Sequence, residues 1–170
     1  MQTSSIKLYS LNYNEAKTYI TAALFILGNI ALPQICHLVP QGGMIMLPIY
    51  FFTLIGAYKY GWKVGLLTAI LSPVANHLLF GMPAAAVLVP ILAKSTILAV
   101  TAGFVASRTN KATLSLLAAV VLAYQGLGAA FEWAWTGSAM AALQDFRLGI
   151  PGMVLQIVGG YLFIKYLLKK

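Results

Sequence analysis

Lys94 and Glu132 are the residues best placed for chemistry, because each lies in a long run of apolar residues. An ammonium group about ten residues from either end of a membrane-spanning helix lies roughly 15 Å from both surfaces. A charge at that depth costs about 2.5–3.5 kcal/mol on insertion scales, so we expect Lys94 to face the protein interior beside a partner. Lys94 could hold the carboxylate or phosphate of a solute, or pair with Glu132. The alternative is a lysine that snorkels towards an interface or is neutral inside the bundle.

Residues around Glu132 could contact a ligand. Helical spacing places Gln125, Gly128 or Ala129, and Glu132 near one face. The Trp133 indole could stack on a planar or cationic ligand beside the carboxylate. A tryptophan at the end of a span is also typical of an interfacial belt, and Glu132 could be a structural counter-charge. Gln125, Glu132 and Trp133 are therefore candidate substrate-binding residues, with structural roles as the alternative.

A second set of polar residues lies in two places, just after the first apolar run and near the end of the third. Its amide and imidazole side chains could bind polar edges of a solute, and the candidates are Gln34, His37, Asn76 and His77. A thiolate with two imidazoles could hold a transition metal or the metal of a corrinoid, which makes Cys36, His37 and His77 weak metal candidates. Histidines at span ends are more often hydrogen-bonded caps, and no HxxxH, CxxC or carboxylate cluster supports them. We therefore predict no metal site and no cofactor.

Two charged residues, Asp145 and Arg147, lie between the last two apolar runs. They could pair with each other in an exposed loop, and such a pair contributes only about 0–1 kcal/mol. The other interpretation makes Arg147 a clamp for an anionic ligand.

Catalytic motifs are missing. Gly137-Ser138 does not form a Gly-x-Ser-x-Gly nucleophile elbow, and the sequence contains no phosphate-binding Gly-rich loop with a lysine. We predict that the chain is not an enzyme. Any transport must then be passive, ion-coupled or dependent on ATP-hydrolysing partners.

Composition indicates that membrane helices position these residues. The 170 residues are 61% hydrophobic and 8% charged, whereas a soluble domain carries about 25% charged residues. Apolar runs between polar or Gly/Pro-rich breaks predict a six-helix, all-α transmembrane bundle as a single membrane domain, preceded by a cytoplasmic lead-in over 1–15 that could form an interfacial helix. The predicted spans are 16–33, 44–58, 62–80, 84–107, 112–134 and 148–168.

The basic residues predict the orientation. With the N-terminus inside, nine of the eleven lysines and arginines fall on the inner side, which satisfies the positive-inside bias. They are Lys7, Lys17, Lys59, Lys63, Arg108, Lys111, Lys165, Lys169 and Lys170. We therefore predict that both termini are cytoplasmic. The net charge of +8 is spread singly over helix ends, which favours contact with anionic lipid and not with nucleic acid.

Polar residues then collect at the outer ends of the spans. The first outer loop, 34–43, is too polar to cross lipid and too apolar for a simple solvated loop, so we expect a structured lid. Stripes of small residues mark the expected contacts between helices of the bundle, with a docking face for a partner membrane protein as the alternative. These stripes are Gly65, Ala69, Ser72 and Asn76; Ser95, Ala99, Gly103 and Ser107; and Gly126, Ala130 and Ala134. The outer ends of the spans carry varied polar residues, whereas the inner ends carry little besides basic anchors. This difference predicts capture of a solute from outside.

The chain resembles the substrate-binding S components of energy-coupling factor (ECF) vitamin transporters. The likeness is strongest at LPIYFFTLIGAYKYGWKVGLLTAIL (47–71), which is similar to the family's apolar helix 2, inner turn and helix 3. The run from Pro90 to Arg108 also fits. The resemblance implies capture of a vitamin or related micronutrient in an outward cup gated by the first loop. It further implies docking on a membrane T component driven by two cytoplasmic ATPases, in the bacterial cytoplasmic membrane.

The docking motif departs from the family pattern. The family's helix 1 usually carries Ala-x-x-x-Ala, whereas the nearest match here is Thr18-x-x-x-Ala22 followed by Ala23. These three residues are the candidate docking residues. The departure admits a solitary protein, and solitary relatives include cobalamin carriers. The alternative function is therefore a solitary or ion-coupled permease for a small solute, a corrinoid or a transition metal, with Lys94 and Glu132 relaying protons.

Overall fold

A computed structural model describes residues 7–168, and this part of the chain is all-α, without a strand. Five of its helices (α1, α4, α5, α6 and α9) are long and apolar enough to cross a membrane, as expected for a multi-pass membrane protein. The helices are α1 Ala16–Cys36, α2 Gly42–Met46, α3 Phe51–Tyr60, α4 Trp62–Phe80, α5 Ala85–Thr109, α6 Leu114–Thr136, α7 Ala139–Ala142, α8 Gln144–Leu148 and α9 Ile150–Leu167.

The second predicted span, 44–58, is not one continuous helix. It is divided into α2, a 3₁₀ turn at Pro48–Tyr50, and α3. Leu47, at the break, adopts the left-handed conformation with φ 46°. Pro48 supplies the reason, since proline disfavours helical backbone in the preceding residue and donates no hydrogen bond. The ten residues of α3 extend about 15 Å, roughly half of a bilayer core.

Asn29 on α1 supports the buried start of α3. Its Oδ1 accepts a hydrogen bond from the Phe52 backbone N–H at 3.1 Å, a group that has no partner within its own helix. Its Nδ2 donates to Thr53 Oγ1 at 3.0 Å and to Ser72 Oγ at 3.1 Å. Asn29, Thr53 and Ser72 are fully buried, so one side chain ties α1, α3 and α4 together.

Helix α1 continues past Pro33, where the first predicted span ended. Pro33 cannot donate to the Asn29 carbonyl one turn earlier. Asn76 on α4 replaces that donor, because its Nδ2 lies 2.9 Å from the Asn29 carbonyl oxygen. The helix therefore reaches Cys36 without an unsatisfied buried acceptor.

The lead-in meets the turns between helices at one end of the bundle. Tyr9 N–H donates to the Lys59 carbonyl at 2.8 Å, and Leu11 N–H donates to the Tyr60 carbonyl at 3.0 Å. Residues 7–15 contain no helix, so this part of the expected interfacial helix is wrong, and residues 1–6 lie outside the described chain. Lys169 and Lys170 also lie outside it. The end of the bundle where the lead-in contacts the α3–α4 turn also holds the α5–α6 turn, and we call it the basic end. The opposite end is called the loop end.

The small-residue stripes differ in outcome. The α4 stripe is buried throughout, and so is the α5 stripe up to Gly103. Gly126, Ala130 and Ala134 are exposed, so the prediction that this stripe packs inside the chain's own bundle is wrong. The polar row of Gln125, Gly128 and Glu132 faces the interior instead, because polar groups cost more in lipid than alanine does.

Replacing Asn29 with alanine should destabilise the fold. The substitution leaves the Phe52 N–H and two hydroxyls without this partner, so we expect a loss of about 1–3 kcal/mol in the free energy of unfolding. Unfolding of the purified protein in detergent measures the change. Asn14→Ala, at an exposed position, is the matched control and should stay within about 0.5 kcal/mol. Equal effects of the two substitutions would contradict this role of Asn29.

Candidate functional site

Lys94 lies at the centre of a buried charged cluster. Its Nζ is 2.5 Å from Glu132 Oε2 on α6 and 2.8 Å from Asp145 Oδ2 on α8. The side chains are only 4%, 12% and 18% exposed in the order Lys94, Glu132 and Asp145. The contact with Asp145 has hydrogen-bond geometry, whereas the Glu132 contact does not, so it is an ion pair alone. With both carboxylates ionised, the cluster carries one excess negative charge.

Gly128 makes room for the lysine stem. A Cβ built at Gly128 would overlap Lys94 Cγ, whereas one built at Gly126 meets nothing within 4 Å. The glycine therefore lets α5 and α6 approach with the charged side chain between them. Two glycines one half-turn apart on α6 thus have opposite surroundings.

A layer of buried amides and phenols lies beside the cluster. Tyr124 OH donates to Gln156 Oε1 at 2.8 Å, and Gln125 Nε2 donates to Tyr124 OH at 3.1 Å. Gln125 Oε1, Gln156 Nε2 and Ser95 Oγ are buried and have no hydrogen-bond partner within residues 7–168. Gln156 lies in a π-helical segment of α9, Leu155–Gly159, and such segments are frequent at functional sites. This layer has polar capacity beyond what the fold uses.

The loop end contains a cavity of about 500 Å³. Its walls come from the end of α1, residues 37–49, the end of α4 and the first turns of α5. The lining is mostly aliphatic and proline, and the polar groups are those of His37, Gln41 and Asn76. Small-molecule pockets measure about 300–1,000 Å³ and combine apolar walls with a few polar groups. The cavity therefore has the size and composition of a ligand site.

Residues 37–47, which we call the lid, fold over this cavity. The lid contains α2 and turns at Gln41, whose φ is 58°. A Cβ at Gly42 would collide with the Cys36 carbonyl, and one at Gly43 would lie 2.6 Å from His37 Nε2. The approach to the Cys36 backbone needs glycine at position 42, and the His37 ring packs closely on Gly43, so the first loop is a folded element.

Four of the sequence-predicted residues lie at the cavity. His37 and Asn76 line it. Gln34 Nε2 donates to Asn76 Oδ1 at 3.4 Å, and His77 Nδ1 lies 2.8 Å from the carbonyl oxygen of Pro83, a lining residue. Gln34 and His77 therefore support the wall, whereas His37 and Asn76 can touch a ligand.

The other four predicted residues do not reach this cavity wall. Lys94, Gln125 and Glu132 belong to the charged cluster and its polar layer, and Trp133 is 58% exposed on the outer face of α6. Sequence reasoning missed Asp145 as a partner of Lys94, because Arg147, two residues away, offered Asp145 a nearer partner along the chain. One signal was present, since the whole chain has only three acidic residues and a buried lysine needs an acid.

The metal and docking candidates also have defined surroundings. Among residues 7–168, no group of three or more histidine, cysteine or acidic side chains could hold a metal ion, and Cys36, His37 and His77 do not form one. Thr18 and Ala22 are buried within the chain's own bundle, and Ala23 is exposed. Of the docking candidates, Ala23 alone is free to meet another helix.

No family model, curated protein or solved structure matches this chain. Its function is therefore inferred from the cavity, the lid and the charged cluster.

Gly128→Ala should destabilise the protein, because the added methyl group displaces the Lys94 stem. We expect a loss of about 1–3 kcal/mol in the free energy of unfolding, which is the usual cost of overpacking. Gly126→Ala on the same helix is the matched control, and it should be neutral or stabilise by up to about 1 kcal/mol through helix propensity. Unfolding in detergent compares the two, and equal stability would refute the packing argument.

Proposed function

We propose that this protein is a membrane solute-binding component for uptake of a vitamin or related micronutrient, and that its solute binds in the cavity under the lid. The observation that carries the proposal is the cavity of about 500 Å³ that a folded loop borders on one side. The length and span pattern that resemble an ECF S component support the same function. In this proposal, a membrane T component and cytoplasmic ATPases supply the energy.

The lining defines the chemistry of the solute. The walls are largely apolar, and His37, Gln41 and Asn76 offer hydrogen bonds, so we propose a small, mostly apolar solute with a few polar groups. Lys94 already contacts two carboxylates. The proposal therefore uses Lys94 to hold the structure, and not to neutralise an anionic solute.

The proposed topology has six crossings, with both termini in the cytoplasm of a bacterium. The five long helices supply five crossings, and α2 with α3 supplies a discontinuous sixth. Lys59, Lys63, Arg108 and Lys111 flank the turns of the basic end, which the positive-inside rule assigns to the cytoplasm. The cavity then faces the exterior, where a solute would be captured.

The exposed face of α1 is the proposed contact with the T component. Ile20, Leu24 and Leu27 are more than 60% exposed at 64%, 65% and 62%, and Ala23 lies among them. An apolar stripe beside a small residue permits close approach of a second helix. Thr18 and Ala22 are buried on the opposite side of α1, so they would support this face without contacting the T component.

A second candidate function is an ion-coupled permease, and the charged cluster favours it. Glu132 and Asp145 share one lysine in the apolar interior, so uptake of one proton would neutralise the cluster. Uptake into proteoliposomes without ATPases, abolished by collapsing the proton gradient and by Glu132→Gln, would support this function over the first.

A ligand screen tests the proposed function. Purified protein is screened by thermal shift against vitamins, nucleobase derivatives and divalent metals. For a stabilising compound, Ile91→Trp fills the cavity and should weaken binding by at least about tenfold, or 1.4 kcal/mol. Val100→Trp is the matched control on α5, where Val100 is 49% exposed, and it should bind like the wild type. Absence of any stabilising ligand, or unchanged binding by the Ile91→Trp variant, would contradict the proposal that a solute binds in the cavity.

A further inference from the structure

The lid rests on the segment that follows α6. Gln144 Nε2 donates to Met44 Sδ at 2.7 Å. A Cβ at Gly149 would lie 2.7 Å from Leu47 Cδ1, and one at Gly152 would lie 2.5 Å from the Met46 carbonyl oxygen. The lid therefore sits on α8 and the start of α9 through close contacts that involve no charge.

Helix α8 is itself weakly held. None of its five residues is buried, and Phe146 packs against the core only as a partly buried side chain. Asp145 reaches into the bundle and accepts the hydrogen bond from Lys94. The position of α8, and of the Gln144 contact that it offers to the lid, thus depends on a charged contact with α5.

We propose that the Lys94–Asp145 ion pair is a latch that keeps the lid in its place against the cavity. When Asp145 leaves Lys94, α8 is released and the lid loses the part of its support that α8 provides through Gln144. The inference rests on the proposed function, because it assigns the control of solute access to the cavity. Lys94 and Asp145 are positioning residues here, since neither touches the solute.

Glu132 explains why this latch can open inside an apolar bundle. Breaking a buried ion pair normally leaves an uncompensated charge, which is strongly unfavourable. Glu132 lies on α6, away from the lid, and contacts the same Nζ at 2.5 Å. Lys94 therefore keeps a carboxylate partner whether the latch is closed or open, and the more exposed carboxylate, Asp145, is the one on the movable segment.

Cysteine labelling tests the latch without a ligand. Cys36 is the single cysteine, so Cys36→Ser gives a clean background. Ile91→Cys then places a thiol on the cavity wall, and its rate of reaction with a water-soluble maleimide tracks the population of the open lid. Asp145→Asn should raise this rate about ten- to hundredfold, as expected for loss of one hydrogen bond between charged groups. Asp145→Glu, which keeps the carboxylate, should restore slow labelling.

Glu132→Gln is the matched control, because it removes the other carboxylate from the same ammonium group. Its labelling rate should stay within about twofold of the parent, since the lid keeps its seat on α8. A thiol at the buried position Ala102, 0% exposed, reports loosening of the whole bundle and should react slowly in every variant.

Two results would overturn the latch. One is an unchanged rate in Asp145→Asn, and the other is an equal increase in Glu132→Gln. Failure of the ligand screen would leave the labelling result standing, and failure of the latch would leave solute binding standing. The two proposals are therefore separable.

Discussion

The positive charge of Lys94 is the constraint on which the arrangement of α5, α6 and α8 depends. An ammonium group in an apolar bundle must meet a carboxylate, so α6 turns Glu132 inward and the following loop folds back to deliver Asp145. Gly128 provides the space for the stem. The same rotation of α6 turns Gly126 and Trp133 outward, which explains why the small-residue stripe on this helix is not a contact within the bundle.

A second constraint operates on the other side of the bundle. Pro33 and the break at Leu47 each leave a buried backbone group without its helical partner. Asn29 and Asn76 replace the missing bonds, since one accepts from the Phe52 N–H and the other donates to the Asn29 carbonyl. Because these amides satisfy the irregular backbone, the chain can break between α2 and α3, and the segment before the break is free to fold as a lid. The cavity is the consequence of that break.

The two polar regions differ in how completely they are paired. Both groups of the Asn29 amide are hydrogen-bonded, which is the mark of a structural network. The layer beside Lys94 leaves buried atoms of Gln125, Gln156 and Ser95 unpaired within the described residues. Unpaired buried polar atoms cost stability, and this layer is less completely satisfied than the network around Asn29.

The sequence by itself determined the helical membrane class, the five long helices and the burial of Lys94, because all of these follow from local hydrophobicity and the cost of charge in lipid. It also pointed to His37 and Asn76, which line the cavity. Only the tertiary structure decided that Asp145 pairs with Lys94 and not with Arg147. It also divided the polar candidates between a cavity and a charged cluster, and placed the start of α3 inside the bundle. These features depend on contacts between residues far apart in the chain, such as Lys94 with Asp145 and Asn29 with Asn76, and periodicity within a single helix carries no information about such pairs.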